Sequence, residues 1–74
     1  MEYPLEVTLN GKPRTIEELV SPSPLSAVLE RLGLRPDRIA VELNGEIAPR
    51  ASWPDLPVVE NDRIEIVHFV GGGA

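Results

Sequence analysis

The sequence predicts a single α+β domain, a mixed sheet of four to five strands packed on one main helix. Three features carry that prediction. The runs Leu5 to Leu9, Ile39 to Leu43 and the stretch from Arg63 onward alternate apolar and polar residues, the period of a half-buried strand. The first two end in Asn10-Gly11 and Asn44-Gly45. Asn-Gly is the strongest two-residue hairpin signal, because both central positions of a type I′ turn need φ > 0. Between the turns, Leu25, Val28, Leu29 and Leu32 recur at i, i+3, i+4 and i+7, one apolar stripe of a helix. Seventy-four residues leave no room for a second domain.

Taken in order, Leu5, Val7 and Leu9 share one strand face, with Tyr3 in the same phase. Lys12 to Ile16 is the return strand, weakened by Pro13, which cannot donate to a ladder. Ser21-Pro22-Ser23-Pro24 breaks the chain, with Ser23 as helix N-cap and Pro24 at N1, where a missing N–H costs nothing. The helix runs about three turns. Gly33 fits the position just past its end, Leu34 the accompanying hydrophobic contact, and Pro36 prevents continuation. Ile39 to Leu43 is the next strand, and Glu46-Ile47-Ala48 a short return. Pro49 to Pro57, which holds the only tryptophan, Trp53, reads as a loop with one turn of 3₁₀-helix. Glu60-Asn61-Asp62 is a turn signal before a last strand from Arg63 to Val70. This order fits the β-grasp arrangement, in which, by analogy, the first and last strands lie parallel at the sheet centre. Residues 1–70 form the domain on this reading, and residues 71–74 a flexible glycine-rich tail.

Composition narrows the function classes. Twelve acidic against seven basic residues give a net charge of −5. Nucleic acid and anionic membrane would repel such a chain, whereas a basic face of another protein would attract it. With no cysteine and one histidine, there is no disulfide, thiolate nucleophile or histidine-rich metal site. No GxSxG, phosphate-cradling glycine loop or HExxH is present. A chain of this length buries only about 60% of its unfolded surface, too thin a core for a deep substrate cavity. These features favour a carrier, subunit or binding module over a free-standing enzyme. Nothing at the N-terminus resembles a targeting signal, so the cytoplasm is the expected compartment. Glu6, Glu42, Glu65, Asp55 and Asp62 occupy outward strand or turn positions and read as solvated charge.

The unusual feature is the C-terminus, where Phe69-Val70 runs directly into Gly71-Gly72-Gly73-Ala74. An end without Cβ atoms can thread through a narrow channel and bring a carboxylate to a partner's reactive centre, to be activated as an acyl adenylate. A flexible tail or a cloning remnant is the competing reading. In the last strand Ile64, Ile66, His68 and Val70 share the inward phase, and Arg63, Glu65, Val67 and Phe69 the other. Exposed Val67 and Phe69, with Val70 beside the tail, would then make a docking patch. A β-bulge near His68 would instead return Phe69 to the core. His68 itself reads as a partly buried strand histidine rather than a base. Trp53 reads as a cap over an open end of the core.

The segment Val41-Glu42-Leu43-Asn44-Gly45-Glu46-Ile47-Ala48-Pro49-Arg50, then Trp53, then Asn61-Asp62-Arg63-Ile64-Glu65-Ile66-Val67 and the terminal glycines resemble the ThiS family. These are the small sulfur carriers of thiamin biosynthesis. The resemblance extends to the Asn10-Gly11 hairpin and the leucine-rich helix. It implies a ubiquitin-like β-grasp fold and a defined cycle. A ThiF-like adenylating enzyme would use ATP and magnesium to activate the terminal carboxylate, with no cofactor bound by the carrier itself. A sulfur donor system would convert that end to a thiocarboxylate, and thiazole synthase would take the sulfur. Gly72 and Gly73 match the family's terminal pair, so Gly73 would bear the thiocarboxylate. Ala74 departs from the pattern, since the family ends at Gly-Gly. Two other readings stand beside this one: a β-grasp carrier for molybdopterin assembly or for cysteine or metabolite thiolation, and a non-covalent β-grasp interaction domain.

Overall fold

The computed structural model describes residues 4–69. Strand β1 (Leu5–Leu9) turns at Asn10-Gly11 into antiparallel β2 (Lys12–Ile16), with Leu5 opposite Ile16 and Leu9 opposite Lys12. The turn residues have φ of 49° and 83°, the left-handed values that the Asn-Gly pair accommodates. Pro13 is tolerated because β2 is an edge strand. Strand β4 (Ile39–Leu43) repeats the device: Asn44 and Gly45, at φ 54° and 87°, lead into antiparallel β5 (Glu46–Ile47). Strand β7 (Arg63–His68) pairs parallel with β1 and antiparallel with β4. The sheet order is β2-β1-β7-β4-β5. It is mixed, with the first and last major strands adjacent at its centre, as expected of a β-grasp.

Helix α1 (Leu25–Arg31) covers one sheet face. Leu25, Val28 and Leu29 are its buried stripe, and they join Leu5, Val7, Ile16, Ile39, Val41, Val58, Ile64 and Ile66 in the core. Its end is a Schellman motif. The Gly33 N–H donates to the Glu30 carbonyl and the Leu34 N–H to the Leu29 carbonyl, with Gly33 at φ 75°. Seven residues are nearer two turns than three, because Leu32 already leaves the helix as its C-cap.

Ser23 does not cap the helix. Its hydroxyl donates to the Val20 carbonyl at 2.6 Å, and Pro24 holds the N-cap position. Ser23–Pro24 forms β3, antiparallel to β6 (Pro57–Val58), a separate two-stranded sheet that bridges the helix entry to the later loop. The Leu25 N–H is satisfied by the Leu56 carbonyl, so tertiary structure replaces the side-chain cap. Two 3₁₀ segments complete the chain, Pro36–Arg38 and Arg50–Asp55. The second is longer than the single turn expected. It buries Trp53, whose Nε1–H donates to the Ala48 carbonyl at 2.7 Å. Trp53 therefore closes the core at one end, as its sequence context suggested.

Candidate functional site

The candidate site is the outer face of the sheet along β7, which leads in sequence to the terminal glycines. Both flanking turns grip this strand. The Asn10 N–H donates to the Ile64 carbonyl, and Asn10 Oδ1 accepts from the Ile66 N–H at 2.7 Å. On the other side the Asn44 N–H donates to the Arg63 carbonyl while Asn44 Oδ1 accepts from the Arg63 N–H at 2.9 Å. Asn44 Nδ2 donates in turn to Asp62 Oδ1, and Asp62 Oδ2 accepts the Val59 N–H. The same Asn-Gly pairs that make the hairpins thus fix the register of β7. Asp62, expected as solvated charge, is a half-buried turn carboxylate that helps to build this grip.

Alternation along β7 is unbroken by any bulge. Ile64 and Ile66 point into the core, whereas Val67 is 61% and Phe69 54% exposed. The Phe69 N–H donates to the Arg38 carbonyl, continuing the β4 side of the ladder past His68. Phe69 thus stays out of the core. His68 is exposed, not partly buried: it shares the inward phase of Ile64 and Ile66, but lies at the end of β7, beyond the core residues. Val70, Gly71, Gly72, Gly73 and Ala74, on which the remaining site assignments fall, lie outside the described residues, as does Tyr3.

The structure adds Ala40 and Ile47 to this face and sets Glu42 against Glu65 on it. Ala40 lies opposite Val67, Glu42 opposite both Glu65 and Ile47 on its two neighbours, and Ile47 is 76% exposed. With Arg63 they line an open hollow of about 520 Å³. The available signal was Ile47 itself, an apolar residue in the outward phase of a strand whose neighbour Ala48 is buried. Among the described residues no group of three or more histidine, aspartate or glutamate side chains could hold a metal ion. No helix among them is long and apolar enough to cross a membrane. The arrangement suits macromolecular contact.

Comparison with known proteins agrees with this architecture. The family model described as "ThiS family" matches residues 7–73. The sulfur carrier protein ThiS of Thermus thermophilus is 37% identical over 67 residues, covering 90% of this chain and 98% of that one. A thiazole synthase of Magnetococcus marinus is 36% identical over 69 residues, 93% of this chain. The chain spans only about one fifth of that relative and of a second thiazole synthase, from Paramagnetospirillum magneticum. The crystal structure of the thiamine biosynthesis protein ThiS from Geobacter metallireducens superposes with a TM-score of 0.79 at 31% identity, covering 93% of this chain and all of that one. Fold and family match converge, and the chain belongs to the ThiS family.

Proposed function

We propose that this chain is a sulfur carrier of thiamin biosynthesis, acting as co-substrate of other enzymes rather than as an enzyme. The observation that carries the reading is the family match, which runs through Gly72 and ends at Gly73. On this reading residues 1–70 are the folded carrier and residues 71–74 the tail. The Gly73 carboxylate attacks the α-phosphate of magnesium-bound ATP on a ThiF-like adenylating enzyme, and pyrophosphate leaves. Hydrosulfide from the donor system then attacks the acyl carbon and displaces AMP, leaving a thiocarboxylate. Thiazole synthase consumes that sulfur, a partnership supported by relatives of that name that carry this domain in a longer chain. Glycine at the reacting end suits a channel too narrow for side chains. Val67, Phe69 and Val70 form the docking patch at the tail's root, and the cycle takes place in the cytoplasm.

Ala74 follows Gly73 in the sequence, so Gly73 gains a free carboxylate only when the Gly73–Ala74 bond is hydrolysed. The test is the intact mass of protein from its own host, before and after incubation with adenylating enzyme, magnesium-ATP and sulfide. Loss of alanine with one oxygen replaced by sulfur is the expected result. Unchanged mass in both samples, with the enzyme active on another carrier, would favour the interaction-domain reading instead. Gly73→Val should abolish conversion and leave the thermal midpoint where it was.

A further inference from the structure

We propose that the open sheet face is read by a partner-enzyme surface presenting an arginine or lysine whose cationic head seats between Glu42 and Glu65, its aliphatic stem lying on Ile47 and Val67. The inference rests on the carrier reading, since the surface meant is that of the adenylating enzyme that takes the tail.

The register places Glu42 directly opposite Glu65 across β4 and β7. Like charges in that position oppose each other at close range and weaken the sheet. Among the described residues neither glutamate has an ion-pair partner. The ion pairs among the described residues lie elsewhere, Arg31 with Glu18 and Asp37 with Arg35 and Arg38. Arg63 lines the same hollow without pairing to either glutamate. A metal ion is poorly served, because no third carboxylate or histidine among the described residues joins the two.

The surroundings define the cation. Ala40, Val67 and Ile47 flank the carboxylates on the same face, the last two largely exposed. A long side chain with an apolar stem and a charged tip matches such a surface. A guanidinium fork can donate to both carboxylates at once. The net charge of −5 adds long-range attraction to a basic enzyme surface and opposes stacking of a second copy on this face. The hollow is continuous with Val67 on β7, so a partner seated here lies against the strand from which the tail departs.

The experiment compares the full chain with the double variant Glu42→Gln/Glu65→Gln. It measures affinity for the purified adenylating enzyme by calorimetry at two salt concentrations, and unfolding by urea. Affinity should fall about tenfold, with a flatter salt dependence, the size expected for losing a desolvated charge contact. The urea midpoint should hold or rise, because repulsion within the sheet is removed. A merely structural role would move both in the same direction. Equal affinity and equal salt dependence would overturn the proposal, as would failure of the wild-type chain to bind. Concentration-dependent self-association of the wild type that the double variant abolishes would assign the face to a second copy and overturn it too. Thiocarboxylate formation, followed in parallel by mass, separates the two ideas. Wild type that binds through these glutamates yet is never converted refutes the carrier reading alone, and conversion with unaltered variant affinity refutes only this one.

Discussion

The two faces of β7 are both apolar in part, yet they have opposite fates. Inward, Ile64 is fully buried and Ile66 nearly so, enclosed by the helix and the neighbouring strands. Outward, Val67 and Phe69 meet solvent beside a glutamate that faces another glutamate. One face obeys the rule that apolar groups leave water and like charges keep apart. The other breaks both parts of it, which is why the docking proposal falls on this face.

The contrast can be broken most directly at Ile64. Ile64→Asp places an unpaired charge at the centre of the core, a cost above about 4 kcal/mol, comparable to the whole stability of a domain this small. Circular dichroism should show an unfolded chain, and a folded variant would mean that the inner face is not the core. Trp53→Phe tests the closure of the core's end. It keeps the apolar bulk but strands the Ala48 carbonyl, so urea denaturation should show a loss of about 1–3 kcal/mol. Gly33→Ala should cost about 1 kcal/mol. A Cβ there meets nothing within 4 Å, so the cost comes from the left-handed φ alone. An unchanged midpoint would mean the helix end relaxes. Phe69→Asp sharpens the comparison from the other side. Stability should shift by no more than about 0.5 kcal/mol, while KM for the carrier in adenylation rises at least about tenfold. Collapse of the thermal midpoint would place Phe69 in the core after all.

Much of this was readable beforehand because it rests on local chemistry. Alternation at Leu5 to Leu9 and Ile39 to Leu43 reports a one-sided strand, and Asn-Gly reports a turn whatever surrounds it. Gly33 and Leu34 announced the helix end for the same reason. The misses are non-local. Ser23 looked like a cap, but its hydroxyl is used by Val20 and its backbone by Val58, thirty-five residues away. Two-residue strands such as β3 and β6 have no period to detect. His68 shares the inward phase of Ile64 and Ile66, but the end of the sheet supplies it no cover. Among the site residues, Val67 and Phe69 followed from strand phase. The Glu42–Glu65 apposition did not, because only the register between distant strands creates it.

The twin asparagine grip has a mechanical consequence. The strand that precedes the terminal glycines is the middle one of five, bonded on both edges over Arg63 to Ile66, by Asn10 and Asn44 as well as by the ladders, and on the β4 edge at Val67 to Phe69. A pull from the C-terminal side can loosen Val67 to Phe69 from β4, but from Ile66 inward it meets bonds on both sides at once. That inner stretch must shear both seams together, so opening of Arg63 to Ile66 should approach the free energy of global unfolding. If the chain works as the proposed carrier, an enzyme could engage its end while the body, held from Ile66 inward, behaves as a rigid handle.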